Sequence, residues 1–156
     1  HLLRGLSELQ AGSCRIAAGA RKRILIYDWQ LNPSVYDKEC MLEAARQLAI
    51  RHANTYIRIL LGDTEPIRAG GSRMLDLVRR LPSSMEIRLR AEQLAGDLRS
   101  YMLVDDTSCV YCQVWHDLNA CMLEEGNPFR VRELAAEFSR AWEQSAADPG
   151  LRQLSI

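Results

Sequence analysis

The strongest indication of the fold in this sequence is the segment Leu98-Arg99-Ser100-Tyr101-Met102-Leu103-Val104-Asp105. Its centre, Tyr101 to Val104, is a short apolar run bounded by polar residues, which is typical of a buried β-strand. The polar segment Asp105-Asp106-Thr107-Ser108 follows, and Val110 to Trp115 is a second apolar run. Two such runs joined by a short turn predict a β-hairpin. The stretch therefore predicts a pair of antiparallel strands inside a larger sheet.

The rest of the sequence predicts strands that alternate with helices. Apolar runs predict strands at residues 24–27 and 56–61, and strict alternation predicts a half-exposed strand at 85–90. Helical spacing of apolar residues marks residues 2–18, 37–49, 74–81 and 128–142. This order predicts an α/β fold with a mixed sheet flanked by helices on both faces. We expect one domain over residues 1–156, frayed at 146–156, and a fragment of a longer chain because it begins at His1.

Composition and charge argue against several classes of protein. The chain has 156 residues, of which 47% are hydrophobic and 26% charged, as in an ordinary globular domain. Basic and acidic residues number 20 each, so the net charge is zero. A neutral chain lacks the general attraction to nucleic acids and anionic membranes. No apolar run reaches the roughly 18 residues that a membrane span needs. We therefore expect no membrane span, and nucleic acid is an unfavoured partner.

Five cysteines are present: Cys14, Cys40, Cys109, Cys112 and Cys121. An odd number in apolar surroundings, with no export signal ahead of it, predicts reduced thiols in the cytoplasm. Four residues have nearly the spacing of a zinc knuckle: Cys109, Cys112, His116 and Cys121. The residues between them have the pattern of a strand, in which positions three apart point to opposite faces. We therefore favour buried thiols over zinc and expect neither a metal nor another cofactor.

The stretch from Leu98 to Asp105 resembles the motif of the phospholipase D superfamily, His-x-Lys followed by four residues and Asp. Leu98 occupies the histidine position, Ser100 the lysine position and Asp105 the aspartate position. The segment Trp142-Glu143-Gln144-Ser145 is similar to the end of the family's last helix. The resemblance implies a phospholipase D-like fold. In that family the histidine attacks phosphorus, the lysine holds phosphate oxygens, the aspartate orients the histidine, and two copies of the motif meet in a dimer.

Leu98 and Ser100 replace the residues on which that reaction depends. A leucine side chain can neither attack phosphorus nor carry a proton. We therefore expect no catalytic residues and a binding or dimerisation module of the bacterial cytoplasm, assembled as a homodimer. The chain is also similar to uncharacterised bacterial domains of this degenerate type, some attached to N-acetyltransferases, which implies an accessory role beside an acyltransferase. Apolar Leu98 and small Ser100 would make the former active-site wall self-complementary.

A glycine-containing segment after the second predicted strand is a candidate anion site. Its residues are Arg68, Gly70, Gly71, Ser72 and Arg73. Amides at a helix start attract anions, glycines let the backbone approach them closely, and two arginines can hold a phosphate or carboxylate. The favoured alternative is an ordinary loop with solvated arginines.

The end of the first predicted strand is a candidate wall of a remnant cleft. Asp28 and Trp29 lie where open α/β sheets place their ligands, and Ser100, Asp105 and Trp115 are expected beside them. For each residue alone a structural role, such as a cap or a core position, is the favoured alternative. An enzyme acting on phosphodiesters or other phosphate esters through this cleft stays open as a second function. A zinc-binding or nucleic-acid-binding module is a third.

Overall fold

A computed structural model describes residues 1–151 of the chain. The strands of this part are β1 (Leu2–Leu3), β2 (Arg23–Asp28), β3 (Tyr56–Leu61), β4 (Met85–Leu89), β5 (Ser100–Val104), β6 (Ser108–Cys112), β7 (Cys121–Glu124) and β8 (Ala146–Ala147). Its α-helices are α1 (Gly5–Ala18), α2 (Pro33–Tyr36), α3 (Glu39–Arg51), α4 (Glu65–Arg68), α5 (Arg73–Arg80) and α6 (Pro128–Glu143). Short 3-10 helices lie at Glu92–Leu94 and Pro149–Leu151.

The strands form one mixed sheet in the order β1-β7-β6-β5-β2-β3-β4-β8. The three strands β2, β3 and β4 are parallel, and the remaining neighbours pair antiparallel. The predicted hairpin is β5 and β6, with Ser100 opposite Cys112 and Val104 opposite Ser108. It lies against β2, where Tyr27 pairs with Tyr101. The predicted mixed α/β sheet is confirmed.

Both faces of the sheet are covered by helices. Because side chains alternate along a strand, neighbouring residues of one strand belong to two different core clusters. On β2, Ile24 and Ile26 join the larger core cluster, to which α1, α3 and α5 also contribute. Leu25 and Tyr27 point the other way, into a smaller cluster formed with α6. Strand β2 is therefore buried on both faces, which explains its nearly continuous apolar sequence.

The final helix is fixed to the smaller core by its cap and by a buried tryptophan. Asn127 caps α6 by accepting a hydrogen bond from the Arg130 amide, and Pro128 occupies the first helical position. Trp142 is buried near the other end of the helix. The guanidinium groups of Arg58 and Arg88 lie 5.3 and 4.3 Å from its ring centroids. Cation–π contacts of this kind add to the burial of the ring.

The cysteines differ from the prediction. Disulfides join Cys14 to Cys40 and Cys112 to Cys121, and Cys109 is the one unpaired cysteine in the described part of the chain. The expectation of reduced thiols, on which the cytoplasmic location rested, is therefore wrong for four of the five. The zinc alternative is wrong as well, because Cys109 lies in the core on the opposite face from Cys112 and Cys121. Within residues 1–151 no group of three or more metal-ligating side chains occurs.

The segment after α6 lies against the sheet. Ala146 and Ala147 pair with Leu89 and Arg88 of β4, and Leu151 is buried. Residues 152–156 lie outside the described part, and fraying at the end of the chain stays a prediction. No helix within residues 1–151 has the length and apolar character to cross a membrane.

Candidate functional site

The candidate site lies at the edge of the sheet where β2, β3 and β4 end. Because β5 runs antiparallel to β2, its first residue, Ser100, lies at the same edge as Asp28, the last residue of β2. Ligands of open α/β sheets bind at this edge. Leu98 precedes β5 there, and its carbonyl accepts a 2.8 Å hydrogen bond from the Trp115 amide. The structure brings Asp28, Ser100 and Trp115 together, and all three line one cavity.

Asp28 is a buried carboxyl group whose oxygens already have donors. Its side chain is 2% exposed and accepts hydrogen bonds from the amides of Trp29 (2.8 Å) and Asn32 (3.0 Å). Burial raises the pKa of Asp28 above its usual value, although these amides, the Ser100 hydroxyl and the charge of Arg90 act in the opposite direction. Burial disfavours the charged form of a carboxyl group. Because the pKa of Asp28 is raised overall, this effect of burial outweighs the hydrogen bonds and the charge of Arg90.

Arg90 is a buried cation behind this edge, and the sequence prediction missed it. Its guanidinium donates to the carbonyls of Asp28 and Asp97, each at 2.9 Å. The group lies 3.7 Å from the centroid of the Tyr27 ring. Burial lowers its pKa, and the nearby Tyr27, Asp97 and Asp28 oppose that shift. Strict alternation at residues 85–90 predicts a half-exposed strand, which gives no reason to expect a buried arginine. The only sign of Arg90 in the sequence was a charged residue at the end of that strand.

Two tryptophans close the edge from outside. Trp29 and Trp115 stack with centroids 6.4 Å apart, and both are half-buried. Trp29 lies so close to Gly62, just after β3, that a Cβ atom at this glycine would collide with the indole ring. The cavity behind them has a volume of about 20 Å³, which is room for about one water molecule. Polar groups from Ser13, Asn32 and Tyr36 also line it. This cavity is therefore too small for a ligand larger than about one water molecule.

Asp105 does not belong to this site. It follows β5 at the end opposite Ser100, so the expectation that it lines the cleft is wrong. Its carboxylate accepts hydrogen bonds from the amides of Lys22 (2.7 Å), Arg21 (3.0 Å) and Arg23 (3.1 Å). The residue also has a φ of 53°, in the left-handed region that aspartate tolerates better than most side chains. Asp105 therefore fixes the loop before β2 to the turn after β5.

The segment predicted to bind anions does not form one anion site. Arg68 pairs with Glu65 at 2.8 Å, and Arg73 pairs with Glu39 at 2.7 Å, so acidic side chains within the protein already neutralise both. Ser72 caps α5 by accepting from the Leu75 amide. Gly70 and Gly71 have positive φ angles of 116° and 82°, which explains the two glycines by backbone conformation alone.

A row of three tyrosines borders the site on the α6 face of the sheet. Tyr27, Tyr101 and Tyr111 lie opposite one another on β2, β5 and β6. Their ring centroids are 4.7 and 6.3 Å apart with nearly parallel planes. Arg90 covers one end of this tyrosine row and Arg130 the other, at 4.7 Å from Tyr111. The Tyr27 hydroxyl donates a 2.7 Å hydrogen bond to Asp97.

A family model described as "Domain of unknown function (DUF7931)" matches residues 6–154. The chain belongs to the DUF7931 family. No curated protein matches the sequence of this DUF7931 domain.

Solved structures show which fold the DUF7931 domain has. NucT from Helicobacter pylori is similar with a TM-score of 0.65 at 11% identity, over 92% of each chain. Nuc from Salmonella typhimurium, a phospholipase D family member, is similar with a TM-score of 0.57 at 10% identity, over 90% of this chain and 89% of Nuc. The expected phospholipase D-like fold is confirmed, and at these identities the likeness shows the fold alone.

A third similar structure is TrmBL2, an archaeal chromatin protein described as showing a novel mode of DNA binding. Its TM-score is 0.70 at 14% identity, over 95% of this chain. The DUF7931 domain spans about half the length of TrmBL2, 52% of that chain.

Proposed function

We propose that this DUF7931 domain is a catalytically inactive phospholipase D-like module that binds a second copy of itself through the edge bearing Leu98 and Ser100. The observation that carries the proposal is the identity of these two residues at the positions where the motif has its nucleophile and its phosphate-binding lysine. The leucine side chain has no nucleophilic atom, and the serine side chain has no positive charge with which to hold the phosphate oxygens. In a longer protein such a module would accompany a catalytic domain, an acyltransferase by the resemblance described above.

The small size of the cavity beside Asp28 and Ser100 supports the inactive assignment. A cavity of about 20 Å³ has no room for a phosphate ester. Asp28 is buried, and two backbone amides already hold its oxygens.

An apolar surface at the same edge supports self-association. The Leu98 side chain is 46% exposed. The Leu98 carbonyl accepts a hydrogen bond from the amide of Trp115, whose indole ring stacks on Trp29. Tryptophan and exposed aliphatic side chains are typical of the centres of protein interfaces. A two-fold contact places the same patch of both copies together, so one apolar edge suffices for a dimer.

The test of self-association is Leu98→Glu, with the mass in solution measured by light scattering during gel filtration. We expect a dimer of the parent protein and a monomer of the variant, because two buried glutamates would face each other across the two-fold axis. Leu2→Glu is the matched control, since Leu2 is 42% exposed but lies on β1, an outer strand that β7 and β6 separate from β5. A monomeric parent, or a variant that stays dimeric, would contradict the proposal.

The test of inactivity is hydrolysis of bis(p-nitrophenyl) phosphate. We expect no release of nitrophenol above the buffer blank. Hydrolysis that disappears in Asp28→Asn would instead favour the second function, a phosphate-ester enzyme that uses the remnant site.

Nucleic-acid binding is a further candidate, favoured by the likeness to TrmBL2 over 95% of the chain. Because the net charge is zero, binding would have to come from arginines gathered locally. The test is fluorescence anisotropy of a labelled DNA duplex at increasing salt. Binding by phosphate contacts weakens steeply with salt, whereas no binding at low salt would remove this candidate.

A further inference from the structure

Two buried residues with hydroxyl groups line the cavity beside Asp28 and Ser100. Ser13 lies on α1 and Tyr36 is the last residue of α2, and they are 2% and 6% exposed. Burial raises the pKa of Tyr36 well above its usual value, and the charge of Asp28 raises it further. The Tyr36 hydroxyl group therefore lies near the Asp28 carboxyl group and away from bulk solvent.

The hydroxyl group of Tyr36 lacks a hydrogen-bond partner in the described part of the protein. Within residues 1–151, no backbone or side-chain group accepts a hydrogen bond from it, and the Asp28 oxygens accept from the amides of Trp29 and Asn32 instead. A buried hydroxyl group without a partner destabilises the folded state. The place of Tyr36 beside the cavity therefore points to a small polar ligand there.

The size and the lining of the cavity define that ligand. Its volume of about 20 Å³ matches one water molecule and excludes anything much larger. A buried water molecule needs two to four polar partners. Three residues with hydroxyl groups, Ser13, Tyr36 and Ser100, line the cavity together with the side chain of Asn32. The lining therefore offers enough donors and acceptors for one water molecule.

A neutral ligand suits the charges around the cavity. Arg90 donates a 2.9 Å hydrogen bond to the Asp28 carbonyl, and its positive charge opposes the rise in the pKa of the Asp28 carboxyl group that burial causes. A bound cation would add a second positive charge near this guanidinium group, and a bound anion would face Asp28. A water molecule adds no charge and can both donate and accept hydrogen bonds.

We propose that this cavity is a binding site for one water molecule, which accepts a hydrogen bond from the Tyr36 hydroxyl group. The water connects α1 and α2 to the end of β2 and the start of β5. It thereby acts as a structural part of the edge from which Leu98 projects. The proposal does not depend on self-association, because the cavity lies within a single copy of the domain.

The first test compares Tyr36→Phe with Tyr101→Phe in the full chain by thermal unfolding. We expect Tyr36→Phe to lower the melting temperature by about 2–4 °C, the shift that loss of one hydrogen bond produces in a chain of this length. Tyr101→Phe is the matched control, since the Tyr101 hydroxyl group is buried without a partner in the described part and its ring lies on the other face of the sheet. This control should leave the melting temperature unchanged or raise it. Equal changes in the two variants would overturn the proposal.

The second test asks whether Ser13 and Tyr36 share the same water molecule. The double variant Ser13→Ala and Tyr36→Phe should lose less in melting temperature than the sum of the single losses, because both changes remove partners of one water. Additive losses would overturn the proposal. A melting temperature that rises in sodium or ammonium chloride relative to choline chloride, at equal ionic strength, and does so only while Asp28 is present, would overturn it in favour of a bound cation.

Discussion

At the scale of single residues, Asp105 shows that a motif position can be kept for a structural reason. The sequence placed it in the motif but could not show its role. Its carboxylate holds three consecutive amides of the loop that leads into β2. That contact links residues more than 80 positions apart, which no local pattern reveals.

Asp105→Ala should lower the free energy of unfolding by about 1–3 kcal/mol, because three amides lose a charged acceptor and alanine tolerates the positive φ poorly. Urea unfolding measures the change. Asp106→Ala is the control, since Asp106 forms only partly exposed ion pairs with Lys22 and Arg23, which are worth about 0–1 kcal/mol. Equal effects of the two substitutions would contradict the role given to Asp105.

Asp28 should make stability depend on pH in an unusual direction. Burial raises its pKa in the folded protein above the ordinary value of 3.8, so the folded state keeps this proton to higher pH than the unfolded chain. The contribution of Asp28 to stability is therefore present below about pH 4 and is lost as pH rises through its folded pKa. We expect the melting temperature of Asp28→Asn, relative to the parent protein, to increase from about pH 4 to neutrality.

Asp97→Asn provides the opposite case. Burial raises the pKa of Asp97, but hydrogen bonds from Arg99 and Tyr27 outweigh it and lower the pKa to about 2. The contribution of Asp97 is present above the ordinary pKa of 3.8 and is lost as pH falls towards 2. The deficit of Asp97→Asn should therefore shrink on acidification. Parallel pH profiles for both variants would contradict the assignment of Asp28.

At the scale of elements, the central strands were predictable and the peripheral ones were not. Apolar runs identify β2, β3 and β5 because these strands are buried on both faces. The predicted strand from Val110 to Trp115 ends at Cys112, because the Trp115 amide turns back to the Leu98 carbonyl. The short strand β7 and the single-turn helix α4 were missed, since so few residues carry no detectable periodicity.

The docking of α6 should depend mainly on Trp142. Trp142→Ala is expected to lower the free energy of unfolding by about 3–5 kcal/mol, because it leaves a large cavity in the smaller core. Phe129→Ala on the same helix should change it by less than about 0.5 kcal/mol, since Phe129 is 74% exposed. Urea unfolding of both variants distinguishes the two positions. Similar losses of unfolding free energy in both variants would show that the docking of α6 does not depend mainly on Trp142.

At the scale of the whole molecule, the order of elements sufficed to predict a mixed α/β sheet, and the motif resemblance implied its phospholipase D-like fold. Neither predicted how small the cavity behind the tryptophans is. Its size depends on Trp29 packing against Gly62 and Trp115, which come from three distant segments. The pairing of the disulfides could not be predicted from the sequence either. Their partners are set by how α1 meets α3 and how β6 meets β7, and the spacing of cysteines does not determine connectivity.

Removal of the disulfide between α1 and α3 should destabilise the whole domain. The bridge from Cys14 to Cys40 spans 26 residues. Closing a loop of that size lowers the conformational entropy of the unfolded chain and so stabilises the folded state by roughly 3 kcal/mol. The double change Cys14→Ser and Cys40→Ser should therefore lower the free energy of unfolding by about that amount. Thermal unfolding with and without dithiothreitol checks this, with Cys109→Ser as the unpaired control. A parent protein insensitive to the reductant, with five thiols titratable after unfolding, would contradict the disulfides.

The tyrosine row gives the molecule an optical label of its own. Rings stacked at 4.7 Å with planes 3° apart couple their electronic transitions, and the coupling exists only while β2 and β5 stay paired in register. The near-ultraviolet circular dichroism of these chromophores therefore reports the integrity of the centre of the sheet. Variants at either edge can be compared by this signal without an added dye, and a chain that keeps its helices but loses register would be recognised by its absence.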